Sequence, residues 1–246
     1  MSLIRIEEQA DCAHVVLNRP QKLNALSPEL LEQFIETMHD LRTHPAKLIV
    51  LRGEGRAFSA GADLMAFSQG LMGPNALAVA DLGRQAATAL KDLQQLTLAL
   101  IDGPCVGGGL VLALSCDLRW TIKGSSFSMP ELPTGIPVGW GGLEYMVTSI
   151  GMQQTKELIY SGKTISSETA LHIGLIGHLF ETMNDANCAM EDLIRVPDST
   201  LQATRRQLDA IEQDCYEPKG DAQIMVDATQ DPAVVEQLLS RWQTPK

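Results

Sequence analysis

Two groups of residues in this sequence have the types and spacing to do chemistry: the glycine triplet Gly107-Gly108-Gly109, and Glu131 between Pro130 and Pro133. The apolar run Leu98 to Ile101 leads towards the triplet and reads as a buried strand. Asp102, Gly103 and Pro104 break that strand and turn the chain. After the triplet, Leu110, Val111, Leu112 and Leu114 read as the start of a buried helix. A strand that turns through glycines into a helix leaves backbone N–H groups free at the helix start, and those groups suit negative charge. A phosphate loop would end in Gly-Lys-Ser/Thr, but Leu110 and Val111 follow Gly109. A dinucleotide fingerprint from Gly107 would place its third glycine at position 112, which is leucine. Two readings stay open: an oxyanion hole for a carbonyl oxygen that gains charge during reaction, and a turn that lets a helix pack closely on a strand.

Glu131 is the best acid/base candidate. Its prolines fix the backbone, and its apolar neighbours disfavour the charged carboxylate, which makes it a stronger base. The plain alternative is an exposed loop glutamate. Asp117 and Glu144 are weaker candidates, one after a buried helix and one inside a helix. The segment Phe58-Ser59-Ala60-Gly61-Ala62-Asp63 also follows an apolar run, Leu48 to Leu51. Two such loops at the carboxyl ends of neighbouring strands can face each other and clasp one carbonyl oxygen between them. His39 and His44 are five apart and His172 and His178 six apart, so neither pair has the helical spacing of two metal ligands. No Ser/His/Asp arrangement is visible around Ser115 or Ser128.

The elements that must position these groups alternate. Strands are expected at 3–8, 13–18, 48–51, 98–101, 118–122, 126–129 and near 175–180. Ser27-Pro28-Glu29 caps a helix that carries Leu30, Leu31, Phe34, Ile35, Met38 and Leu41 at helical spacing. A second helix is expected over 75–95, with Leu77, Leu82, Ala86, Leu90 and Leu93 on its buried side. The stretch 62–74 has no clear assignment. Helices follow at 140–150, 152–161, 166–172, 184–194, 198–213 and 221–229. Such alternation implies βα units and a largely parallel sheet.

Composition bounds the rest. A chain of 246 residues, 45% hydrophobic, holds one large domain or one domain with a small appendage. A net charge of −11 speaks against nucleic acid and anionic membrane as partners. No apolar run reaches spanning length. The five cysteines have no CxxC spacing, and Cys12, Cys105 and Cys116 sit in apolar runs. They read as reduced core residues of a cytoplasmic protein.

Taken together, the sequence resembles the crotonase (enoyl-CoA hydratase/isomerase) family from about residue 3 to 180. The resemblance rests on Leu17-Asn18-Arg19-Pro20 with Leu23-Asn24-Ala25-Leu26, then Ala57-Phe58-Ser59-Ala60-Gly61-Ala62-Asp63-Leu64. It continues through the triplet with Cys116-Asp117, then Pro130-Glu131 with Gly135-Ile136-Pro137, Ser161-Gly162, and Ala170 to Ile176. It implies an α/β spiral of β-β-α units over residues 1–180 and a helical C-terminal trimerisation region over 181–246. It implies an acyl-CoA substrate, a homotrimer or dimer of trimers, no metal, and no cofactor beyond the coenzyme A of the thioester. By position, the N–H groups of Ala62 and Gly108 form the oxyanion hole and Glu131 is the acid/base. Lys22, Leu23, Ala60, Asp63 and Leu64 lie along the coenzyme A, and Gly107, Val111 and Trp140 line the substrate site. Family hydratases are expected to carry a glutamate where Val111 stands. Its loss favours a Δ3-Δ2-enoyl-CoA isomerase, which needs one carboxylate. A decarboxylase or hydrolase acting through an enolate, a hydratase, and a non-catalytic acyl-CoA-binding subunit remain alternatives.

Overall fold

The computed structural model describes residues 2–9 and 11–243. Strands β1 (Ile4–Gln9) and β2 (Cys12–Leu17) form an antiparallel hairpin with Ile4 opposite Leu17. Helix α1 (Pro28–Leu41) and strand β3 (Leu48–Gly53) follow, then helices α2 (Leu64–Leu71) and α3 (Ala76–Lys91). Next come β4 (Leu96–Ile101), β5 (Pro104–Val106), α4 (Gly108–Leu114), β6 (Leu118–Ile122) and β7 (Ser126–Ser128). The long α5 (Gly142–Ser161), then β8 (Ile165–Ser166), α6 (Ser167–His172) and β9 (His178–Phe180) complete the sheets. The large sheet has the order β1-β2-β3-β4-β6-β9, parallel from β2 onwards. A second sheet, β5-β7-β8, is short and mixed.

The strands that read as continuous apolar runs are buried along their length: every residue of β2, and Leu48 to Leu51 of β3. That is the pattern of a parallel sheet covered on both faces. Helix α1 starts where Ser27 accepts a hydrogen bond from the Leu30 N–H (3.3 Å) and Pro28 fills the first turn. It buries Leu30, Leu31, Phe34, Met38 and Leu41 in one core with α3 and the sheet.

Several boundaries differ from the sequence expectation, each for a local reason. The unassigned stretch 62–74 holds α2, capped by Asp63 accepting from the Ala66 N–H (3.2 Å). Apolar residues lie all round α2 and Phe67 is its one buried residue, so it has no clear stripe to read. On α3 the buried side is Gly83, Ala86, Ala87, Ala89 and Leu90, whereas Leu77 is 88% exposed. Small residues, which carry little periodic signal, make that contact face. The break between 150 and 152 is a kink: Gly151 has φ 74° and ψ 164° inside α5. The helix begins at Gly142 rather than 140 because Trp140 and Gly141 both take positive φ.

The chain divides into two compact units, residues 1–189 and 190–246, with α7 (Met183–Ile194) crossing the boundary. The second unit holds α8 (Asp198–Glu212), α9 (Asp221–Ala228) and α10 (Pro232–Gln243), the last unanticipated. Within it, Asp221 accepts hydrogen bonds from Gln207 (2.7 Å) and Tyr216 (2.6 Å), and Ser199 bonds Asp231. Among the described residues no helix is long and apolar enough to cross a membrane.

One buried side chain fixes the loop that follows β3. Asn24 is fully buried with φ 54°, a conformation asparagine tolerates better than most residues. Its amide donates to Glu54 O (2.9 Å) and Ala57 O (2.8 Å) and its oxygen accepts from Arg19 N (2.9 Å). Asn24→Ala strands all three backbone groups. It should cost about 3 kcal/mol, read as a lower urea midpoint with an unchanged slope.

Candidate active site

Strands β3 and β4 are parallel neighbours, so the loops that leave their carboxyl ends emerge side by side. Backbone hydrogen bonds lace them together: Ser59 N donates to Pro104 O (3.1 Å) and Val106 N donates to Ser59 O (2.9 Å). Gly61 has φ 87°, and a Cβ there would stand 2.8 Å from Val106 O and 3.6 Å from Gly108 N. A side chain at 61 would therefore pry the loops apart. The peptides flanking Ala62 are held by Leu26, whose N–H donates to Gly61 O (2.8 Å) and whose carbonyl accepts from Asp63 N (2.9 Å). The Ala62 N–H itself has no acceptor among the described residues. The same holds for Gly108 N–H, which opens α4 and has no preceding turn to bond to. Ala62 and Gly108 line one cavity of about 260 Å³.

Each glycine of the triplet yields to a different neighbour. Gly107 (φ 50°, ψ −120°) lies against the Glu131 carboxylate, and a Cβ at 107 would overlap Oε1. A Cβ at Gly108 would overlap the Trp140 indole. At Gly109 it would lie 2.6 Å from the Ser59 Cβ, inside the lacing between the loops. The triplet is thus a surface on which an acid, an aromatic wall and the second loop all rest.

Glu131 reaches this place through the small sheet. Val106 of β5 pairs with Ser128 of β7, and Gly107 N donates to Ser128 O (2.9 Å). The chain then passes Met129 and Pro130 and delivers Glu131 over Gly107. A short 3-10 turn, Leu132–Thr134, follows, with Thr134 N and Ile136 N both donating to Glu131 O (3.1 and 3.0 Å). The backbone is fixed while the carboxylate has few partners: Oε2 is buried with no hydrogen-bond partner. Burial pushes the Glu131 carboxyl above the usual carboxylate range, partly offset by its own backbone N–H. A desolvated carboxylate and free N–H groups that line one apolar cavity make an arrangement suited to moving a proton next to a carbonyl.

Of the residues singled out from the sequence, the structure brings Ala60, Ala62, Leu64, Gly107, Gly108, Val111, Glu131 and Trp140 to this cavity. Val111, one turn into α4, is 2% exposed. Lys22, Leu23 and Asp63 are not among its lining residues. Lys22 ends an exposed 3-10 turn, Pro20–Lys22. Leu23 accepts from Ala60 N (2.9 Å) through its carbonyl and so supports the loop from behind. Asp63 accepts from Arg19 Nη1 (2.7 Å) while capping α2, and Arg19 holds its carboxyl below the usual range. Asp117 accepts from Thr97 N and Oγ1 (both 2.7 Å), fastening the start of β4. Phe67, Leu71 and Ala80 complete the apolar wall from α2 and α3. The first two lie in the stretch that sequence periodicity leaves unassigned.

The raised Glu131 carboxyl has a consequence for stability. Its neutral form suits the folded state, so stability is greatest below the unfolded value of about 4.3 and falls as pH rises through the folded one. Glu131→Gln, neutral at every pH, should melt higher than the native chain at pH 7. The difference should shrink on acidification below pH ~4, measured by paired thermal melts.

Comparison with known proteins identifies the family. The model of the enoyl-CoA hydratase/isomerase family matches residues 7–230. The chain is 30% identical over 180 residues to a crotonyl-CoA hydratase of Syntrophomonas wolfei subsp. wolfei, covering 72% of this chain and 69% of that one. It is 38% identical over 176 residues to the enoyl-CoA isomerase/hydratase fer4 of Mycosarcoma maydis, covering 68% and 64%. A crystal structure of enoyl-CoA hydratase from Thermoplasma volcanium superposes with a TM-score of 0.88 at 27% identity, covering 99% of this chain and 98% of that one. The fold that carries the two laced loops and the glycine triplet is the crotonase fold, and this chain belongs to the enoyl-CoA hydratase/isomerase family.

Proposed function

We propose that the protein is a Δ3-Δ2-enoyl-CoA isomerase with Glu131 as its single acid/base. The observation that carries this reading is a count: among the described residues lining the cavity, Glu131 is the one titratable side chain. Ala62 and Gly108 donate their free N–H groups to the thioester carbonyl oxygen. Glu131 takes a proton from the α-carbon, and electrons move through the carbon chain into that oxygen. The resulting dienolate is held by the two N–H groups. Glu131 then returns the same proton to the γ-carbon, and the double bond ends one position nearer the carbonyl. One proton leaves and one returns, so a single carboxylate suffices.

Hydration has other needs. A water must be activated at the β-carbon while the α-carbon is protonated, and Val111 offers neither function. Several relatives are named hydratases, which makes hydration the reading to test against. The native enzyme should convert a 3-enoyl-CoA to its 2-enoyl isomer much faster than it hydrates crotonyl-CoA. Glu131→Gln should abolish isomerisation and leave acyl-CoA binding in place, and Ala62→Pro, which removes one donor, should cost about 10²–10³ in rate. Strong native hydration, or isomerisation that survives Glu131→Gln, would overturn the assignment.

The family reading also carries assembly into a homotrimer or a dimer of trimers. Light scattering at micromolar concentration should return three or six copies; a monomer would count against it.

A further inference from the structure

Trp140 has a backbone conformation that a bulky side chain rarely adopts. Its φ is 59°, in the left-handed region that is a clear outlier for such a residue. Strain of this kind persists where the surroundings over-determine it, and it gathers at functional positions. The surroundings here are two glycines and a phenylalanine. The indole fills the space where a side chain would stand at Gly83 on α3, and also where one would stand at Gly108 on α4. Its ring lies 5.7 Å from that of Phe67 on α2, centroid to centroid, tilted by 42°. Neither Gly83 nor Gly108 has a positive φ, so their lack of a side chain serves close approach of the ring and not a backbone turn. One face of the site, including Trp140, Phe67, Leu71 and Ala80, is apolar and lines the cavity that also holds Glu131.

We propose that Trp140, seated between Gly83 and Gly108, is the residue that sets how long an acyl chain the cavity accepts. The inference rests on the acyl-CoA reading above and deepens it. The ring is confined by α3 at Gly83, by the backbone of the oxyanion donor Gly108, and by Phe67. The ring also lines the cavity. Removing the ring lengthens the space available to an acyl chain beyond the reacting carbons. Adding a methyl at Gly83, which is buried and does not line the cavity, pushes the ring the other way and shortens that space. The two changes act on chain length with opposite signs, and the second acts entirely through the first.

Equilibrium binding of saturated acyl-CoA thioesters to the full chain tests this, because it needs no turnover. The readout is the ratio of affinity for dodecanoyl-CoA to that for butanoyl-CoA. Trp140→Ala should raise the ratio at least fivefold and Gly83→Ala should lower it at least threefold. The double variant should match Trp140→Ala, since no ring remains to be pushed. If Gly83→Ala does not fold, the series Trp140→Phe, Trp140→Leu and Trp140→Ala decides: the ratio must climb as the side chain shrinks. An unchanged ratio, shifts of one sign in both single variants, or a double variant that behaves additively overturns the assignment of Trp140. Binding that follows these rules while isomerisation is absent removes the isomerase reading alone. No binding of either thioester removes the acyl-CoA reading and this inference with it.

Discussion

The site depends on one serine. Ser59 is fully buried, and its backbone exchanges hydrogen bonds with Pro104 and Val106 across the gap between the loops. Its hydroxyl donates to Asn24 O (2.8 Å) and accepts from Gly61 N (3.2 Å). Three polar groups of one residue thus make four hydrogen bonds, to the β5 segment, to Asn24 and within its own loop. Such a network is costly if any member is left open and rigid when all are paired. The free N–H groups of Ala62 and Gly108 lie on either side of this junction. The junction joins the two loops that carry them, while Leu26 holds the peptides flanking Ala62 and Ser128 accepts from Gly107 N.

Electrostatics pull the other way at Glu131. Fold and chemistry want different things from this residue. The fold would prefer a neutral side chain over Gly107, whereas the base proposed for Glu131 must be charged to work. The Glu131 carbonyl is pinned by Thr134 N and Ile136 N, which holds the backbone beneath the carboxylate in place. A site of this kind holds its reactive group in an environment that disfavours the charge, and a stability loss is the counterpart of basicity.

Much of this was legible in the sequence because it is local. The cap at Ser27, the apolar runs of β3 and β4, the turn at Gly103 and the glycine triplet all follow from residue type at short range. Glu131 stood out by its prolines and apolar neighbours. What escaped was carried by small or all-round apolar residues. Helix α2 has no stripe, the buried face of α3 is mostly glycine and alanine, and β5 is three residues between two glycines. The tasks of Gly107, Gly108 and Gly109 were equally hidden, since each depends on a side chain distant in sequence. The coenzyme A positions Lys22, Leu23 and Asp63 came from family resemblance, and the cavity itself does not include them.

The long connection from β3 to β4 has a bearing on time as well as on shape. Between Ser59 and Val106 the chain must complete α2, α3 and β4, and the small sheet cannot receive Glu131 until β7 has found β5. Pairings of this range are slow to form, because loop-closure entropy is lost before the contacts that offset it exist. Ala62, Gly108 and Glu131 are brought together only through such long-range pairings. A chain in which β5 has not yet paired with β7 holds each piece of the cavity lining without the cavity, so the thioester chemistry proposed for this site depends on that pairing.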